Sequence, residues 1–240
     1  MNLSLRQLTQ ARVGLGRAGN SLPTSELLDF RLAQARARDA VHVALDVPSL
    51  RAELLEIGME SVAVASAARN RAEYLRRPDL GRKLSQESLA ELESLRLQVG
   101  VAFVIADGLS ALAVHRHAPP LLRLVAGELA AGAERLAPVI IATQGRVAIG
   151  DQIGAALGAE LSVVLIGERP GLSAPDSLGI YLTWKPTPGR TDAERNCISN
   201  IRPEGLSYEA ASCKLLFLVR EARRLKLSGV NLKDSTSLLT

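Results

Sequence analysis

From residue 99 onward, short apolar runs alternate with longer stretches in which apolar residues recur at helical spacing. The runs cover residues 101–105, 139–142, 161–166 and 178–184. Each run is nearly continuously apolar, as expected for a strand that is buried on both faces of a parallel sheet. Helical spacing fills residues 109–117, 121–136 and 149–157. The pattern therefore predicts alternating strands and helices in β-α-β order.

The first hundred residues have a different pattern and are rich in Ala, Leu, Arg and Glu. One helix is predicted to begin near Thr24, after a Ser-Leu-Pro turn, and a second to cover residues 49–58. A third is predicted to begin at Ser88, where Glu91 completes the spacing of a capping box. This part of the chain is thus expected to be helical.

A last helix is predicted to begin at Ser207 and to carry arginines near its end, where cations suit the helix dipole. The change of pattern near residue 96 indicates two parts. We predict the α/β fold class, with a helical N-terminal domain in residues 1–95. A Rossmann-like domain with a parallel sheet is expected in residues 96–240.

Composition narrows the class of protein. The chain has 240 residues, of which 47% are hydrophobic and 22% charged, as in globular proteins. Its two cysteines, Cys197 and Cys213, form no CxxC pair, which argues against a disulfide framework or a zinc site. No apolar run reaches the ~18 residues that a membrane span needs. The 29 Lys and Arg are scattered among 25 Asp and Glu, so neither a membrane nor a nucleic-acid partner is expected.

One motif imitates a dinucleotide-binding fingerprint. Gly14, Gly16 and Gly19 have GxGxxG spacing, and Asp39 follows about twenty residues later. No buried strand is predicted before them, so we interpret the segment as a Gly-rich connection. A nicotinamide-dependent oxidoreductase stays one alternative, and an RNA-binding module with arginines on one face is another. No Ser-His-Asp set, HExxH, P-loop or metal-ligand cluster can be assembled, so no catalytic or metal-binding residue is predicted.

Polar residues follow the predicted strands. Open parallel sheets bind ligands beyond the carboxyl ends of their strands. A turn with two glycines and a proline, residues 167–171, fixes Glu168 at such an end. Residues 190–201 are expected to form a polar loop that contains Cys197. A loop of this kind either binds a ligand or satisfies its own backbone groups.

Six motifs occur together in one order. They are Leu15-Gly-Arg-Ala-Gly-Asn-Ser-Leu-Pro-Thr24, Arg77-Pro-Asp-Leu-Gly81, Ala106-Asp-Gly-Leu-Ser-Ala111, Gly145-Arg-Val147, Gly167-Glu-Arg-Pro-Gly-Leu172 and Cys197-Ile-Ser-Asn-Ile201. From about Leu8 to Lys233, the chain resembles the small (light) subunit of ethanolamine ammonia-lyase. The resemblance implies a helical N-terminal domain, a Rossmann-like C-terminal domain, and an enzyme that converts ethanolamine to acetaldehyde and ammonia by a radical mechanism.

The same resemblance implies adenosylcobalamin as the cofactor, held between this chain and a larger barrel subunit in a hetero-oligomer with several copies of each. The cofactor contacts of the family match Val147 through its main chain, Glu168 as an acceptor for a corrin amide, and Cys197 as a packing contact. Asp107 is a fourth, less secure candidate. Substrate binding and radical chemistry would belong to the large subunit, so no residue of this chain is expected to be catalytic.

Two further expectations concern the cofactor and the location of the protein. None of the histidines sits in the Asp-x-His-x-x-Gly loop by which some cobalamin domains replace the cofactor's own base. The base is therefore expected to stay on cobalt. A cytoplasmic location is expected, and packaging in a bacterial microcompartment is the open alternative. It is in doubt because some members carry a longer leader before the Gly-rich motif than this chain does.

Overall fold

The computed structural model describes residues 9, 11–131 and 137–234, and within them six strands form one sheet. The strands are β1 (Ser61–Ala65), β2 (Val101–Ala106), β3 (Val139–Thr143), β4 (Leu161–Gly167), β5 (Leu178–Trp184) and β6 (Arg195–Ile201). The helices are α1 (Thr24–His42), α2 (Val47–Glu56), α3 (Arg71–Arg76), α4 (Gln86–Ser94), α5 (Ala111–Ala131), α6 (Ile149–Ala156) and α7 (Tyr208–Leu225). Short 3-10 helices cover Leu80–Arg82, Asp192–Glu194 and Gly229–Asn231. None of the helices described is long and apolar enough to cross a membrane.

The sheet is mixed, with strand order β1-β3-β2-β4-β5-β6. The first four strands in this order are parallel, whereas β5 runs antiparallel to both β4 and β6. The carboxyl ends of β1, β2, β3, β4 and β6 therefore meet along one side of the sheet. We call this side the carboxyl edge, because it is where open α/β sheets bind their ligands.

Helices cover the two faces of the sheet unequally. Helices α2, α5 and α7 pack across one face, where Phe103, Leu165 and Ile180 lie in a single apolar core. Helices α4 and α6 pack on the other face, which we call the α6 face, against residues such as Val104 and Val164. Both faces of β2 and β4 are buried, which explains why their sequences are continuously apolar.

Helix α6 lies unusually close to the sheet because glycine faces the strands. A Cβ on Gly150 would come within 2.3 Å of the Val164 side chain, and one on Gly154 within 2.4 Å of Pro186. Glycine therefore lets the helix backbone approach β4. This close approach positions the residues at the start of α6 directly over the sheet.

Several predictions about the elements are confirmed. Strands occur at 101–106, 139–143, 161–167 and 178–184, and the helices that begin after Ser207 and near Thr24 are present. The predicted helix at 88–97 also exists, but it is capped by Ser85 rather than by Ser88. The buried Ser88 hydroxyl instead accepts a hydrogen bond from the Ala65 amide.

Four predictions about the elements are wrong. The first 95 residues are not purely helical, because β1 joins the sheet at its edge. The sheet is not wholly parallel, because β5 is antiparallel to its neighbours. Residues 195–201 of the segment predicted as a polar loop at 190–201 form the edge strand β6. The two helices predicted around Pro119 and Pro120 are one helix, α5. Ala118, Leu121 and Leu122 are all fully buried around the prolines, and this packing outweighs the ~3 kcal/mol that a proline costs inside a helix.

The division into domains of residues 1–95 and 96–240 stays a prediction.

Candidate functional site

The crevice between the ends of β2 and β3 is the expected ligand position of this sheet. The chain leaves β2 for α5 on one face and leaves β3 for α6 on the other, which opens a gap between the two connections. Here Tyr74 of α3 fills the gap and is fully buried. Its hydroxyl lies 2.8 Å from the Gly108 carbonyl and 3.2 Å from that of Gly145. Burial raises the pKa of Tyr74 to about 12, so the hydroxyl remains a donor.

Asp107 lies at the same crevice and is fully engaged in holding it together. Its carboxylate accepts hydrogen bonds from Arg71 Nη1 at 3.1 Å and from the Gly145 amide at 3.0 Å. The side chain is only 4% exposed. The guanidinium groups of Arg71 and Arg146 lie 4.8 and 4.6 Å from the centre of the Tyr74 ring. Asp107 therefore helps to hold the crevice together, and its candidacy as a cofactor contact stays a prediction.

The β5–β6 end of the sheet is less covered than this crevice. On the α6 face, α4 and α6 pack over β1 to β4, and α6 reaches β5 and β6 at Thr183 and Arg195, beyond which Cys197 is exposed. The side chains presented there are those of Tyr181 and Cys197, with Gly179 beside them. We call these three residues, together with Glu168 at the end of β4, the β5–β6 platform. Cys197 is the exposed member of the platform, Glu168 and Tyr181 are half-buried, and Gly179 is buried.

Tyr181 and Cys197 are directly opposite each other on β5 and β6. Tyr181 is half-buried at the margin of the α6-face core, and Cys197 is exposed. The tyrosine hydroxyl and the thiol share a hydrogen bond. Desolvation raises the pKa of both groups, and the nearby Glu168 carboxylate raises them further. Near neutral pH, the thiol and the phenol are therefore uncharged.

Glu168 is held over this pair by the backbone around it. The Asn200 amide donates to the carboxylate, with distances of 3.3 and 3.4 Å to its two oxygens, and the Glu168 amide donates to the Ser177 carbonyl at 3.0 Å. A Cβ on Gly179 would come within 2.9 Å of Glu168 Oε1. Glycine at 179 thus makes the space in which the carboxylate lies. A half-buried carboxylate with one backbone donor keeps capacity to accept further hydrogen bonds.

Val147 lies in the connection between β3 and α6. It is half-buried against the α6-face core, and its carbonyl accepts a hydrogen bond from the Gly150 amide at 3.1 Å. Within the described chain, no hydrogen bond joins Val147 directly to Glu168 or Cys197. The structure thus brings Glu168 and Cys197 together and places Val147 on the same side of the sheet, at the start of the neighbouring helix.

A buried ion pair fixes the position of α6 relative to β6. Arg195 Nη1 and Nη2 lie 2.6 and 2.7 Å from the two carboxylate oxygens of Asp151, and both side chains are 2% exposed. Arg195 also donates to the Thr183 hydroxyl at 3.0 Å. Arg195 is two residues before Cys197 in β6, and Asp151 is four residues after Val147. The ion pair therefore couples the two elements that carry these candidates.

A cavity of about 470 Å³ adjoins this ion pair. Its lining is strongly charged and includes Arg82, Lys83, Arg190 and Asp192. A broad neutral ligand would find little apolar contact there, in contrast to the uncharged side chains of the platform.

The remaining motifs of the sequence lie elsewhere. Gly14, Gly16 and Gly19 all have positive φ and are followed by a short bridge between Ala18 and Ser21, and the described part of this segment contains no strand. It therefore lacks the strand-helix junction that a dinucleotide fingerprint needs. Among the described residues, no group of three or more His, Cys, Asp or Glu side chains could hold a metal ion.

Two histidines lie on α5, across the sheet from the platform. His115 Nε2 accepts a hydrogen bond from the Asp46 amide at 3.0 Å. The buried His117 lies with Nδ1 2.7 Å from the Tyr208 hydroxyl. Both imidazoles are thus used in packing helices together.

Sequence reasoning missed Tyr181 and the Asp151–Arg195 pair. Tyr181 lies inside an apolar run, so nothing in the run separates it from a core residue. Arg195 and Asp151 are 44 positions apart, and only the three-dimensional fold joins them. Ile198 and Ile201 are buried among polar neighbours, but they are three positions apart, so β6 lacks the period of two that marks a half-buried strand.

Known proteins are similar to this chain over almost its whole length. The sequence model of the family described as "Ethanolamine ammonia-lyase light chain (EutC)" matches residues 2–233. The chain is 55% identical over 240 residues to an ethanolamine ammonia-lyase small subunit from Pseudomonas putida, covering 98% of this chain and 88% of the relative. It is 54% identical to one from Pseudomonas fluorescens, covering 99% and 87% of the two chains. A relative from Pseudomonas syringae is 53% identical, with coverage of 99% and 84%. This chain therefore belongs to the ethanolamine ammonia-lyase light-chain family, whose members form the small subunit of the enzyme.

Proposed function

We propose that this chain forms one wall of the adenosylcobalamin site of an ethanolamine ammonia-lyase, and that the large subunit forms the rest. The enzyme would convert ethanolamine to acetaldehyde and ammonia. The observation that carries the proposal is the β5–β6 platform, where Glu168, Tyr181 and Cys197 meet on a less covered part of the sheet. The platform extends from the middle of β5 and β6 to Glu168 at the carboxyl edge, where ligands of such sheets bind.

The chemistry of the platform fits a corrinoid. Cobalamin presents a broad apolar macrocycle edged by neutral amides, so it needs flat contact area and a few well-placed acceptors. The uncharged Tyr181 and Cys197 side chains supply contact area. Glu168 would accept a hydrogen bond from an amide at the edge of the ring, and Val147 would contact the cofactor through its main chain. When bound, adenosylcobalamin supplies the radical chemistry that abstracts hydrogen from ethanolamine.

The residues of this chain would bind and orient the cofactor and would not react. The raised pKa of Cys197 keeps the thiol protonated near neutral pH, and a protonated thiol is a poor nucleophile. Tyr181 likewise keeps its proton because burial raises its pKa. Substrate binding, radical chemistry and the barrel fold are assigned to the large subunit. Covering the platform with that subunit would exclude water from the reactive centre.

Two of the three histidines are placed where they could not replace the cofactor's own base. His115 and His117 lie on the opposite side of the sheet from Cys197, and each is already hydrogen-bonded within the protein. A hetero-oligomer with several copies of each subunit is part of the proposal. Its location in the cytoplasm or in a bacterial microcompartment stays a prediction.

The test is reconstitution from separated subunits. Purified chain, a large subunit of ethanolamine ammonia-lyase and adenosylcobalamin are combined with ethanolamine, and acetaldehyde is followed by NADH oxidation with alcohol dehydrogenase. We expect turnover only when both subunits and the cofactor are present. Acetaldehyde production by this chain alone would contradict the division of roles. So would full activity of the large subunit without this chain.

A further inference from the structure

Among the helices of the described residues, the N-terminal helix α1 is the least covered. Of its 19 residues, only Ala40 is buried. Leu27, Leu28, Phe30 and Leu32 are 37%, 58%, 37% and 50% exposed. By contrast, α7 buries six residues over a similar length. Most helical stability in proteins comes from packing an apolar face against other elements. The apolar side chains of α1 are instead largely exposed to solvent.

The exposed apolar residues lie on more than one side of α1. Leu28 and Leu32 are four positions apart and share one side, whereas Leu27 and Phe30 are three apart and share another. A helix that is apolar on one side lies on a surface, but a helix that is apolar on several sides is typically surrounded. The pattern therefore indicates a helix that inserts into a groove.

The segment before α1 is joined to it and is also exposed. Arg12 lies 5.8 Å from the centre of the Phe30 ring, in a cation-π contact. Gly14 and Gly19 have positive φ, and a Cβ built on either would meet nothing within 4 Å. These glycines are needed for the path of the backbone rather than for packing within this chain. We call residues 11–42 the arm.

The base of the arm is fixed to the carboxyl edge of the sheet. Arg71 donates from Nε to the carbonyl of Val41 at 2.8 Å and from Nη1 to the carbonyl of Gly108 at 2.9 Å. The next residue, Leu109, donates its amide to the carbonyl of Gly167 at 3.0 Å, directly before Glu168. A chain of short contacts thus leads from the end of α1 to the platform.

We propose that the arm is the docking element by which this chain binds the large subunit. This inference rests on the proposed function, because it takes as partner the subunit that would complete the cofactor site. The large subunit is favoured as the partner of the arm because the base of the arm adjoins the proposed cofactor site. A subunit that covers Glu168 and Cys197 would reach the carboxyl edge, and the arm is anchored at that same edge.

Charge indicates the chemistry of the groove that receives the arm. Residues 11–42 contain five arginines against three acidic residues. Within the described chain, Arg17, Arg31 and Arg36 make no ion pair. The complementary groove is therefore apolar along its floor, to receive Leu28 and Leu32, and carries carboxylates along its rim.

The test compares two glutamine variants of the chain with wild type. Leu28→Gln with Leu32→Gln removes two apolar contacts but keeps residues that favour helix. Leu55→Gln is the matched control, because Leu55 is exposed at the end of α2, outside the arm. Each protein is titrated against the large subunit by biolayer interferometry, with circular dichroism of the free chain as the check on folding.

We expect the arm variant to bind the large subunit at least tenfold more weakly, with unchanged thermal unfolding, and the Leu55 control to bind like wild type. Equal affinity of the arm variant and wild type overturns the proposal. Self-association of the free wild-type chain that the arm variant abolishes, with affinity for the large subunit retained, also overturns it, since the arm would then bind a second copy.

The activity assay separates this inference from the proposed function. If the arm variant assembles normally and the complex turns over ethanolamine, the arm proposal fails and the proposed function stands. If wild-type chain neither binds the large subunit nor supports turnover, both fail.

Discussion

Two neighbouring strand ends on the carboxyl edge, those of β2 and β4, each place an acidic residue directly after a buried strand, and they use it in opposite ways. Asp107 follows β2 and lies 4% exposed beneath Tyr74, with its oxygens bound to Arg71 and to the Gly145 amide. Glu168 follows β4, is half-buried, and is bound by one backbone amide. At one end the protein has filled its own crevice. At the other it presents a surface.

The difference shows why two acids at strand ends keep unequal hydrogen-bonding capacity for a ligand. Both residues are acidic and both directly follow a buried strand, so neither feature decides how much of this capacity remains. What decides it is whether a neighbouring element has used the available hydrogen bonds. Arg71 of α3 and the Gly145 amide do so at Asp107, whereas the carboxylate of Glu168 accepts only from the Asn200 amide of β6 among the described residues. The variants below test this contrast.

The largest effect is expected for Asp107→Ala. This change removes the carboxylate partner of the largely buried Arg71 guanidinium, which keeps only the carbonyls of Val41 and Gly108, and leaves the Gly145 amide without its acceptor. Loss of one partner of a buried ion pair typically costs about 3–5 kcal/mol of unfolding free energy. The matched change Glu168→Ala should cost about 0.5 kcal/mol or less, as for other partly exposed positions. Chemical denaturation of both variants measures the difference. Equal losses would contradict the distinction between the two ends.

A second pair of variants removes one hydroxyl from each end. Tyr74→Phe takes the donor from the buried carbonyls of Gly108 and Gly145, and we expect a loss of about 1–2 kcal/mol. Tyr181→Phe removes a hydroxyl that is only half-buried, and its loss should stay below about 0.5 kcal/mol. Thermal unfolding followed by calorimetry ranks the two. A larger loss at Tyr181 would mean that the platform is a structural element.

The thiol of the platform provides a chemical probe. Because its pKa is raised, Cys197 should be alkylated by iodoacetamide more slowly than the exposed Cys213 at pH 8, and its rate should continue to rise above pH 9. Peptide mass spectrometry separates the two sites in one sample. Faster alkylation of Cys197 than of Cys213 would contradict a raised pKa of the Cys197 thiol.

The smallest effect concerns the loop that follows Glu168. His117 Nε2 lies 3.6 Å from Asp176 of this loop, and Arg116 binds the same carboxylate at 2.7 Å. Burial lowers the pKa of His117 below its ordinary value, despite the opposing effect of Asp176. The unfolded chain therefore takes up a proton more readily than the folded one. Stability that is present above pH about 6.5 is lost as the pH falls through the lowered pKa.

His117→Gln should remove this part of the pH dependence. Unfolding free energies measured between pH 7 and pH 5.5 should fall less steeply for the variant than for wild type, by less than about 1 kcal/mol over the range. Parallel profiles would show that another group titrates there.

The fold was predictable where the chain is buried on both sides and less so at the edges of the sheet. Strands β2, β3 and β4 are continuous apolar runs because neighbours cover both of their faces. β1 is short and built largely from small residues, and β6 buries mainly Ile198 and Ile201 among polar positions. Neither strand therefore has the continuous apolar run that predicts a buried strand, and neither was predicted from the sequence.

The site was predictable only through family resemblance. Glu168 stands out as an acid within a Gly-rich turn, but Val147 and Cys197 have no chemistry that marks them. Asp107 shares the position of Glu168 relative to its strand, and nothing local in the sequence shows that Arg71, 36 residues earlier, neutralises it. Tyr181 is identified as part of the platform only by its cross-strand pairing with Cys197.

The central claim is that the β5–β6 platform holds cobalamin jointly with the large subunit. It is tested most directly by titrating adenosylcobalamin into the assembled complex and following the absorbance of the bound corrinoid, with wild type, Glu168→Ala and the exposed control Glu91→Ala. We predict that Glu168→Ala raises the Kd for the cofactor at least tenfold while the complex remains assembled, and that Glu91→Ala leaves it unchanged. Wild-type affinity in an intact Glu168→Ala complex would contradict the account.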